Sequence, residues 1–153
     1  PASSRRTHCP SAPGGPSTDM NLSASIQERV KGLLPDLLGI EFTDVTPEKT
    51  VARLTVRKDL CTIGDNLHGG AIMAFADTLG ATAAILNMPQ GSRTTTIESK
   101  TNFIGGAALG TRVTGESVPV HKGRTTVVCQ TTVRSEAGKL VALVTQTQLV
   151  IGP

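Results

Sequence analysis

Apolar residues near the beginning of the chain recur at the spacing of a helix. Between residues 21 and 36 they fall every three or four positions, behind Ser and Asn residues that can cap a helix. Pro35 lies near the end of this segment and is expected to stop the helix. The pattern therefore predicts one short helix before the rest of the domain.

The remainder of the chain alternates apolar with polar residues, except for one long apolar segment. That segment, residues 68–86, is rich in Ala and Gly and is apolar around most of its surface, which predicts a helix buried on most sides. The alternating segments are rich in Thr and Val, as half-buried strands are. Six strands are predicted, over residues 37–45, 50–60, 93–104, 110–121, 124–135 and 139–151.

The order of these elements indicates the fold class. A short helix, two strands joined in a hairpin around Pro47, one long helix and four further strands form runs rather than alternating strand–helix–strand units. Such runs are typical of an α+β protein with an antiparallel sheet. A sheet of about six strands wrapped around the long helix would bury that helix.

Length and composition favour one folded domain. The chain has 153 residues, of which 38% are hydrophobic and 18% charged, enough to bury a core. Residues 1–19 are expected to be a disordered tail or, from their Arg- and Ser-rich, acid-poor makeup, a targeting segment, with the domain over residues 20–153. No apolar run approaches the roughly 18 residues that span a bilayer, so a cytoplasmic protein without membrane contact is expected.

The net charge and the scarcity of aromatic residues limit the kinds of partner that the chain is expected to bind. A net charge of +3 suits an anionic partner, but three Phe and no Trp or Tyr leave almost no platform for stacking nucleobases, so nucleic acid is not expected. A small ligand that carries a nucleotide is the better expectation. Cys9, Cys61 and Cys129 form no CxxC pair, which argues against a disulfide framework and against a metal site.

The long apolar segment carries two features of a catalytic site. Gly69 and Gly70 at a helix N-terminus would leave backbone N–H groups free to hold an oxyanion or a polarised carbonyl; the alternative is a glycine loop that lets the helix pack closely. Asp77 is the only charged residue between His68 and Pro89. A carboxylate among apolar neighbours is a candidate general base, unless it points into solvent or caps a neighbour.

Gly69 and Asp77 are eight residues apart, which on one helix means roughly 12 Å. This distance is too long for both groups to touch one carbonyl and the water that attacks it. If two copies of the helix lie antiparallel across a two-fold axis, the Gly69 amide of one chain can approach Asp77 of the other. The spacing therefore predicts a site shared by two chains.

Four short motifs accompany this pattern. They are LHGG at residues 67–70, AD ending at Asp77, IESKTNF at residues 97–103 and HKGR at residues 121–124. With these motifs, residues 37–151 resemble the PaaI-type acyl-CoA thioesterases of the hotdog superfamily. The resemblance implies the hotdog fold, a homodimer as the smallest active unit that pairs into a homotetramer, and hydrolysis of an acyl-CoA thioester to free acid and CoA. No cofactor is implied, because CoA is part of the substrate.

The resemblance also implies roles for individual residues. The Gly69 amide, with Gly70 beside it, would polarise the thioester carbonyl. Asp77 of the partner chain would act as base or nucleophile. Thr96 lies where a hydroxyl group can orient the attacking water.

At other positions expected to contact the substrate, the chain matches the family less closely. Many relatives have Asn or Gln six residues before the His of the motif, in contact with the carbonyl oxygen, where this chain has Thr62. His68 or Asn66 would then have to supply that contact. Lys122 and Arg124 are candidates to hold the CoA phosphates; a solvated turn is the alternative.

Other functions fit the sequence less well. A hydratase or dehydratase of the same fold usually pairs a catalytic His with Asp or Glu in a different motif. A non-catalytic acyl-CoA-binding regulator would need a DNA-binding segment, and the part before Leu37 is short and lacks a helix-turn-helix pattern. A Cys61–His68 nucleophile needs its base within hydrogen-bond reach. Cys129, on an apolar strand face, is predicted to be a buried structural thiol.

Overall fold

The computed structural model describes residues 18–152 and contains the predicted elements in the predicted order, with a second short helix and a 3-10 turn that replace the ends of the first two predicted strands. They are α1 (Thr18–Arg29), α2 (Leu34–Leu38), β1 (Ile40–Val45), β2 (Thr50–Thr55), a single 3-10 turn (Lys58–Leu60), α3 (Gly69–Ile85), β3 (Arg93–Phe103), β4 (Arg112–Lys122), β5 (Thr126–Ser135) and β6 (Leu140–Ile151). The α+β class is thus confirmed. The predicted tail, except for its last two residues, lies outside the described residues and stays a prediction.

All six strands form one antiparallel sheet, in the order β1-β2-β4-β5-β6-β3. The hairpin predicted around Pro47 is present, with Val45 opposite Thr50. α3 lies across the inner face of the sheet and contacts β2 through β6. Phe75 and Leu79 of α3 are fully buried over Gly115 of β4, where a Cβ atom would lie 2.7–2.8 Å from their side chains. This close approach seats the helix in the curved sheet.

The prediction that Pro35 ends the first helix is wrong. α1 ends at Arg29, and Pro35 lies in the first turn of the separate helix α2. A proline is well tolerated there because its missing N–H would have no partner in the helix. Gly32 between the two helices has φ +73°, and its N–H donates to the Asp36 carboxylate over 2.9 Å, which fixes the turn.

The two edges of the sheet differ. At the β1 edge, the side-chain amide of Gln27 donates to the carbonyl of Ile40 (3.0 Å) and accepts from the N–H of Phe42 (2.9 Å), as a neighbouring strand would. At the other edge, β3 pairs with β6 on one side only, and no other strand among residues 18–152 pairs with it. Ile97 and Phe103 of this edge strand are more than half exposed.

A helix that crosses a bilayer must be long and apolar. Among residues 18–152, none is long and apolar enough to cross a membrane. Even α3, the most apolar helix, has 17 residues and carries Asp77 in its middle. Its burial against the sheet accounts for its apolar composition.

Candidate active site

At the N-terminus of α3, one backbone N–H group is free and the next one is hydrogen-bonded. His68 is the N-cap, and its Nδ1 accepts the Gly70 N–H over 2.8 Å, so that nitrogen carries no proton. The N–H of Gly69 has no acceptor among the described residues. Of the two glycine amides predicted to contact substrate, the structure therefore leaves only that of Gly69 available.

The loop before α3 is held by backbone hydrogen bonds. The N–H groups of Leu67 and His68 donate to Ala107 and Leu60, each over 2.8 Å. On the other side, the ring of Phe103 lies against Gly69, where a Cβ atom would be 3.1 Å from it. These contacts fix the position of the free amide at the helix end, and they explain how an Asn-Phe pair late in β3 bears on a motif more than thirty residues earlier.

Thr62 and Asn66 lie at the two ends of a tight turn before the motif. The Thr62 N–H donates to the Asn66 carbonyl over 2.8 Å, and Gly64 and Asp65 between them have positive φ of 94° and 58°. Both side chains are exposed, and the Asn66 amide donates to the Gly64 carbonyl within the turn. The structure thus brings Asn66 and Thr62 together near the start of α3 without directing either at Gly69.

Asp77 lies in the middle of α3 and is half-buried. Its Oδ1 accepts from the Thr96 hydroxyl over 2.8 Å and from the Gln146 amide over 3.3 Å. Its Oδ2 has no partner among the described residues. The expectation of apolar surroundings is therefore only half right: the helix neighbours are apolar, but polar side chains of β3 and β6 face the carboxylate, and neither strand is near Asp77 in sequence.

Thr96 is brought directly to Asp77, as the resemblance implies for a site residue. Its oxygen accepts from the Gln148 amide over 2.7 Å while its O–H donates to Asp77. A β-bulge between Thr96 and Glu98 interrupts the pairing of β3 with β6 at this point. Bulges of this kind re-aim side chains next to active sites. In this structure the Thr96 hydroxyl donates to the Asp77 carboxylate, and its expected role in orienting a water stays a prediction.

Sequence reasoning missed Gln146 and Gln148. Both are fully buried on the inner face of β6, where their strand neighbours Val144 and Val150 are apolar. The signal was present in the segment VTQTQLV, because two glutamines occupy the alternate positions that otherwise carry core residues. Buried amides need hydrogen-bond partners, and such positions often belong to sites.

The remaining candidates are spread over the molecule. Lys122 and Arg124 are exposed at the turn between β4 and β5, and neither forms an ion pair within the described part of the chain. Beside the start of α3, an open groove of about 360 Å³ is lined by the apolar side chains of Leu34, Leu38, Leu60, Ala71 and Ala74, together with Asp59, Cys61, His68 and Gly70.

Cys61 and Cys129, the two cysteines that the structure describes, do not form a nucleophilic site. The Cys61 thiol donates to the Arg57 carbonyl over 3.2 Å, and His68 Nδ1 is engaged by Gly70, so the two side chains do not pair. Cys129 is fully buried on β5, as predicted, and burial raises the pKa of its thiol to about 11. A thiol that stays protonated at neutral pH is a core residue rather than a nucleophile.

A six-stranded antiparallel sheet in this order, closed around one long helix that carries a carboxylate, defines the chain as a hotdog-fold protein. The sequence model of the thioesterase superfamily matches residues 64–142, from the turn before α3 to the start of β6. The chain belongs to this family. The resemblance to PaaI-type thioesterases is confirmed at this level.

Solved structures agree with the assignment. A thioesterase from Haemophilus influenzae is 25% identical, with a TM-score of 0.81 over 85% of this chain and 90% of that chain. The PaaI protein of E. coli, 22% identical, shares the fold with a TM-score of 0.78 over 89% of this chain and 97% of that chain. A Streptococcus mutans protein bound to acetyl CoA is 25% identical, with a TM-score of 0.69 over 74% and 89% of the two chains.

Proposed function

We propose that this protein hydrolyses an acyl-CoA thioester to a free acid and CoA. The observation that carries the proposal is the state of Asp77, whose Oδ1 is held by Thr96 and Gln146 while Oδ2 is free to react. Membership of the thioesterase superfamily and the similar Streptococcus mutans protein bound to acetyl CoA support the substrate class. The reaction needs no metal and no cofactor beyond the CoA of the substrate.

The chemistry follows from the free oxygen and the free amide. Oδ2 of Asp77 takes a proton from a water molecule, and the water oxygen attacks the thioester carbon. The Gly69 N–H of the partner subunit donates to the carbonyl oxygen and stabilises the negative charge that develops there. When the tetrahedral intermediate collapses, the C–S bond breaks and the proton on Asp77 passes to the CoA sulfur. If Asp77 attacks directly, its oxygen forms a mixed anhydride with the acyl group as the C–S bond breaks and CoA leaves as a thiolate. Water then hydrolyses the anhydride to the free acid and the Asp77 carboxylate, and the proton released passes to the thiolate.

Two chains are needed because the two groups lie too far apart on one helix. Gly69 and Asp77 are separated by two turns of α3, or roughly 12 Å. The unpaired edge of β3, with exposed Ile97 and Phe103, offers a surface for a second copy. We propose a homodimer as the smallest active unit, with dimers pairing into a homotetramer.

The substrate would lie along the groove beside the start of α3. The apolar groove of about 360 Å³ takes the acyl group, next to His68 and the Gly70 backbone. Lys122 and Arg124, exposed and without ion-pair partners in the described part of the chain, would bind the CoA phosphates.

A thiol-release assay over a panel of acetyl-, medium-chain, long-chain and aryl-CoA substrates tests the function. We expect stoichiometric release of free CoA thiol from at least one class. A hydratase would instead consume an enoyl-CoA without releasing thiol, and a non-catalytic binding protein would bind acyl-CoA without turnover. Either result would contradict the proposal.

Thr62→Asn is expected to maintain or raise the rate of hydrolysis. Thr62 is exposed and shorter than the Asn or Gln found there in relatives, so an amide at this position can reach the carbonyl oxygen. One added hydrogen bond to that oxygen can be worth up to around 10²-fold in kcat. Thr62→Val, which lacks any donor, is the matched control and should change kcat little. A large loss in Thr62→Asn would show that Thr62 has a role of its own.

A further inference from the structure

We propose that Gln146 is a positioning residue, which turns the Asp77 carboxylate so that Oδ1 is held and Oδ2 faces the substrate, and that Gly80 makes room for it. The inference rests on the proposed function, since it assigns a role within the same site. Gln146 lies on β6, the last strand, 69 residues after Asp77. Nothing in the motifs around α3 points to it.

The side-chain amide of Gln146 forms hydrogen bonds to two atoms of Asp77. Its Nε2 lies 3.3 Å from the backbone carbonyl oxygen of Asp77 and 3.3 Å from Oδ1 of the same residue. One amide group thus links the side chain and the backbone of a single residue, which limits rotation of the carboxylate about χ1. Because a carboxylate only accepts hydrogen bonds, the NH₂ side of the Gln146 amide must face it.

A second chain of hydrogen bonds acts on the same oxygen. The Thr94 hydroxyl lies 3.0 Å from two acceptors, the Gln148 side-chain oxygen Oε1 and the Leu149 backbone carbonyl oxygen, and the Gln148 NH₂ group donates to Thr96 over 2.7 Å. With its lone pair engaged in this way, Thr96 directs its own O–H at Asp77 Oδ1 over 2.8 Å. Two donors therefore converge on Oδ1, and the carboxylate presents Oδ2 in a fixed direction.

Gly80 lies one helical turn after Asp77, on the side of α3 that faces β6. A Cβ atom at this position would lie 2.5 Å from the Gln146 amide oxygen and 2.6 Å from its nitrogen, so any side chain here must displace the amide. Gly lowers the stability of a helix interior relative to Ala. The buried positions around it on this helix include Ala76, Ala83 and Ala84, whereas the position where a Cβ atom would collide with the Gln146 amide is Gly.

Fold stability alone does not account for a glutamine at residue 146. The side chain is fully buried, and its Oε1 atom has no hydrogen-bond partner among the described residues. A buried acceptor without a partner destabilises the folded state, and an apolar side chain of similar size would avoid that cost. The contacts to Asp77 are what Gln146 adds, and they lie at the reacting group.

Gln146→Met tests the proposal, because Met keeps the length of the side chain and removes the donor. We expect kcat to fall about 10-fold or more, as for a lost hydrogen bond to a charged group, with KM within about twofold of the parent. Gln130→Met, the same change on the outward face of neighbouring β5, is the control and should leave kcat and KM unchanged.

A cycle with Gly80 provides a second measurement. Gly80→Ala should lower kcat about as much as Gln146→Met, since the added methyl group displaces the amide. In a Gln146→Ala background, where that amide is absent, Gly80→Ala should cost no further activity. If circular dichroism shows that Gln146→Met does not fold, this double-mutant cycle still tests the positioning role of Gln146. Equal losses from Gly80→Ala in both backgrounds would overturn the proposal.

The outcomes separate this inference from the proposed function. If Asp77→Asn is inactive while folded Gln146→Met keeps the parental kcat, the positioning role is wrong and the function stands. If Asp77→Asn keeps parental activity, Asp77 is not the reacting group and both fail. A loss of activity that only follows the folded fraction, with kcat per folded molecule unchanged, would assign Gln146 a structural role and would also overturn the proposal.

Discussion

Replacing Asp77 by Asn is expected to lower kcat for the best acyl-CoA substrate by at least about 10²-fold, the typical effect of losing a catalytic base or nucleophile. Asn keeps the shape of the side chain and can still accept from Thr96, so the contacts of α3 with β3 and β6 should survive. The measurement is thiol release under saturating substrate, with circular dichroism to show that the fold is intact. Asp77→Ala should be at least as inactive.

Asp44→Asn serves as the matched control for this change. Asp44 is a carboxylate on β1 at the sheet edge, paired with Lys49 over 2.6 Å and remote from α3 in the strand order. Its loss should leave kcat within about twofold of the parent, as expected for a surface pair. Activity of Asp77→Asn within a fewfold of the parent would show that the reacting group has been misassigned.

Mixing two inactive variants is expected to restore activity. Asp77→Ala lacks the carboxylate, and Gly69→Pro lacks the free N–H, so neither homodimer has a complete site. A heterodimer joins the intact Gly69 of one chain to the intact Asp77 of the other at one of its two sites. Under random exchange half of the dimers are mixed, so activity should approach about a quarter of the parental value.

Gly69→Ala is the control for the proline variant. Its Cβ atom meets the Phe103 ring at the same 3.1 Å as the proline Cβ would, but its N–H remains, so the comparison isolates the hydrogen bond. Proline fits the first position of a helix, and sizing and circular dichroism must show that Gly69→Pro folds and dimerises. With exchange between the variants demonstrated, a mixture that stays inactive would refute a site shared between chains.

Local patterns predicted most of the secondary structure, but not α2 or the 3-10 turn, so the strands expected over residues 37–45 and 50–60 are limited to Ile40–Val45 and Thr50–Thr55. The alternation of Val and Thr located all six strands, and the apolar segment from residue 68 located α3 to within a residue at each end. Pro35 was misread because proline both ends helices and begins them, and the sequence near it does not distinguish the two cases. The difference lies in the turn at Gly32, whose positive φ becomes visible only in three dimensions.

Part of the site could also be predicted from local patterns in the sequence. His68, Gly69 and Asp77 lie on one helix and carry a local motif, so their spacing could be read directly. The surroundings of Asp77 could not, because Thr96 and Gln146 reach it from other strands through the pairing of β3 with β6 and its bulge. Long-range register of this kind depends on the whole sheet rather than on any short segment.

The Gln27 side chain limits how further copies of this chain can add to the β1 edge of the sheet. A strand with both its N–H and C=O groups exposed can recruit another chain, and a sheet with two such edges can grow without limit into a fibre. Here Gln27 occupies the Ile40 carbonyl and the Phe42 N–H, so part of the β1 edge is closed to another strand, whereas no strand among residues 18–152 pairs with the outer side of β3. If identical chains pair through β3, as proposed, the outer edges of the joined sheet are two β1 strands that each carry this Gln27 block, which opposes further growth through the sheet.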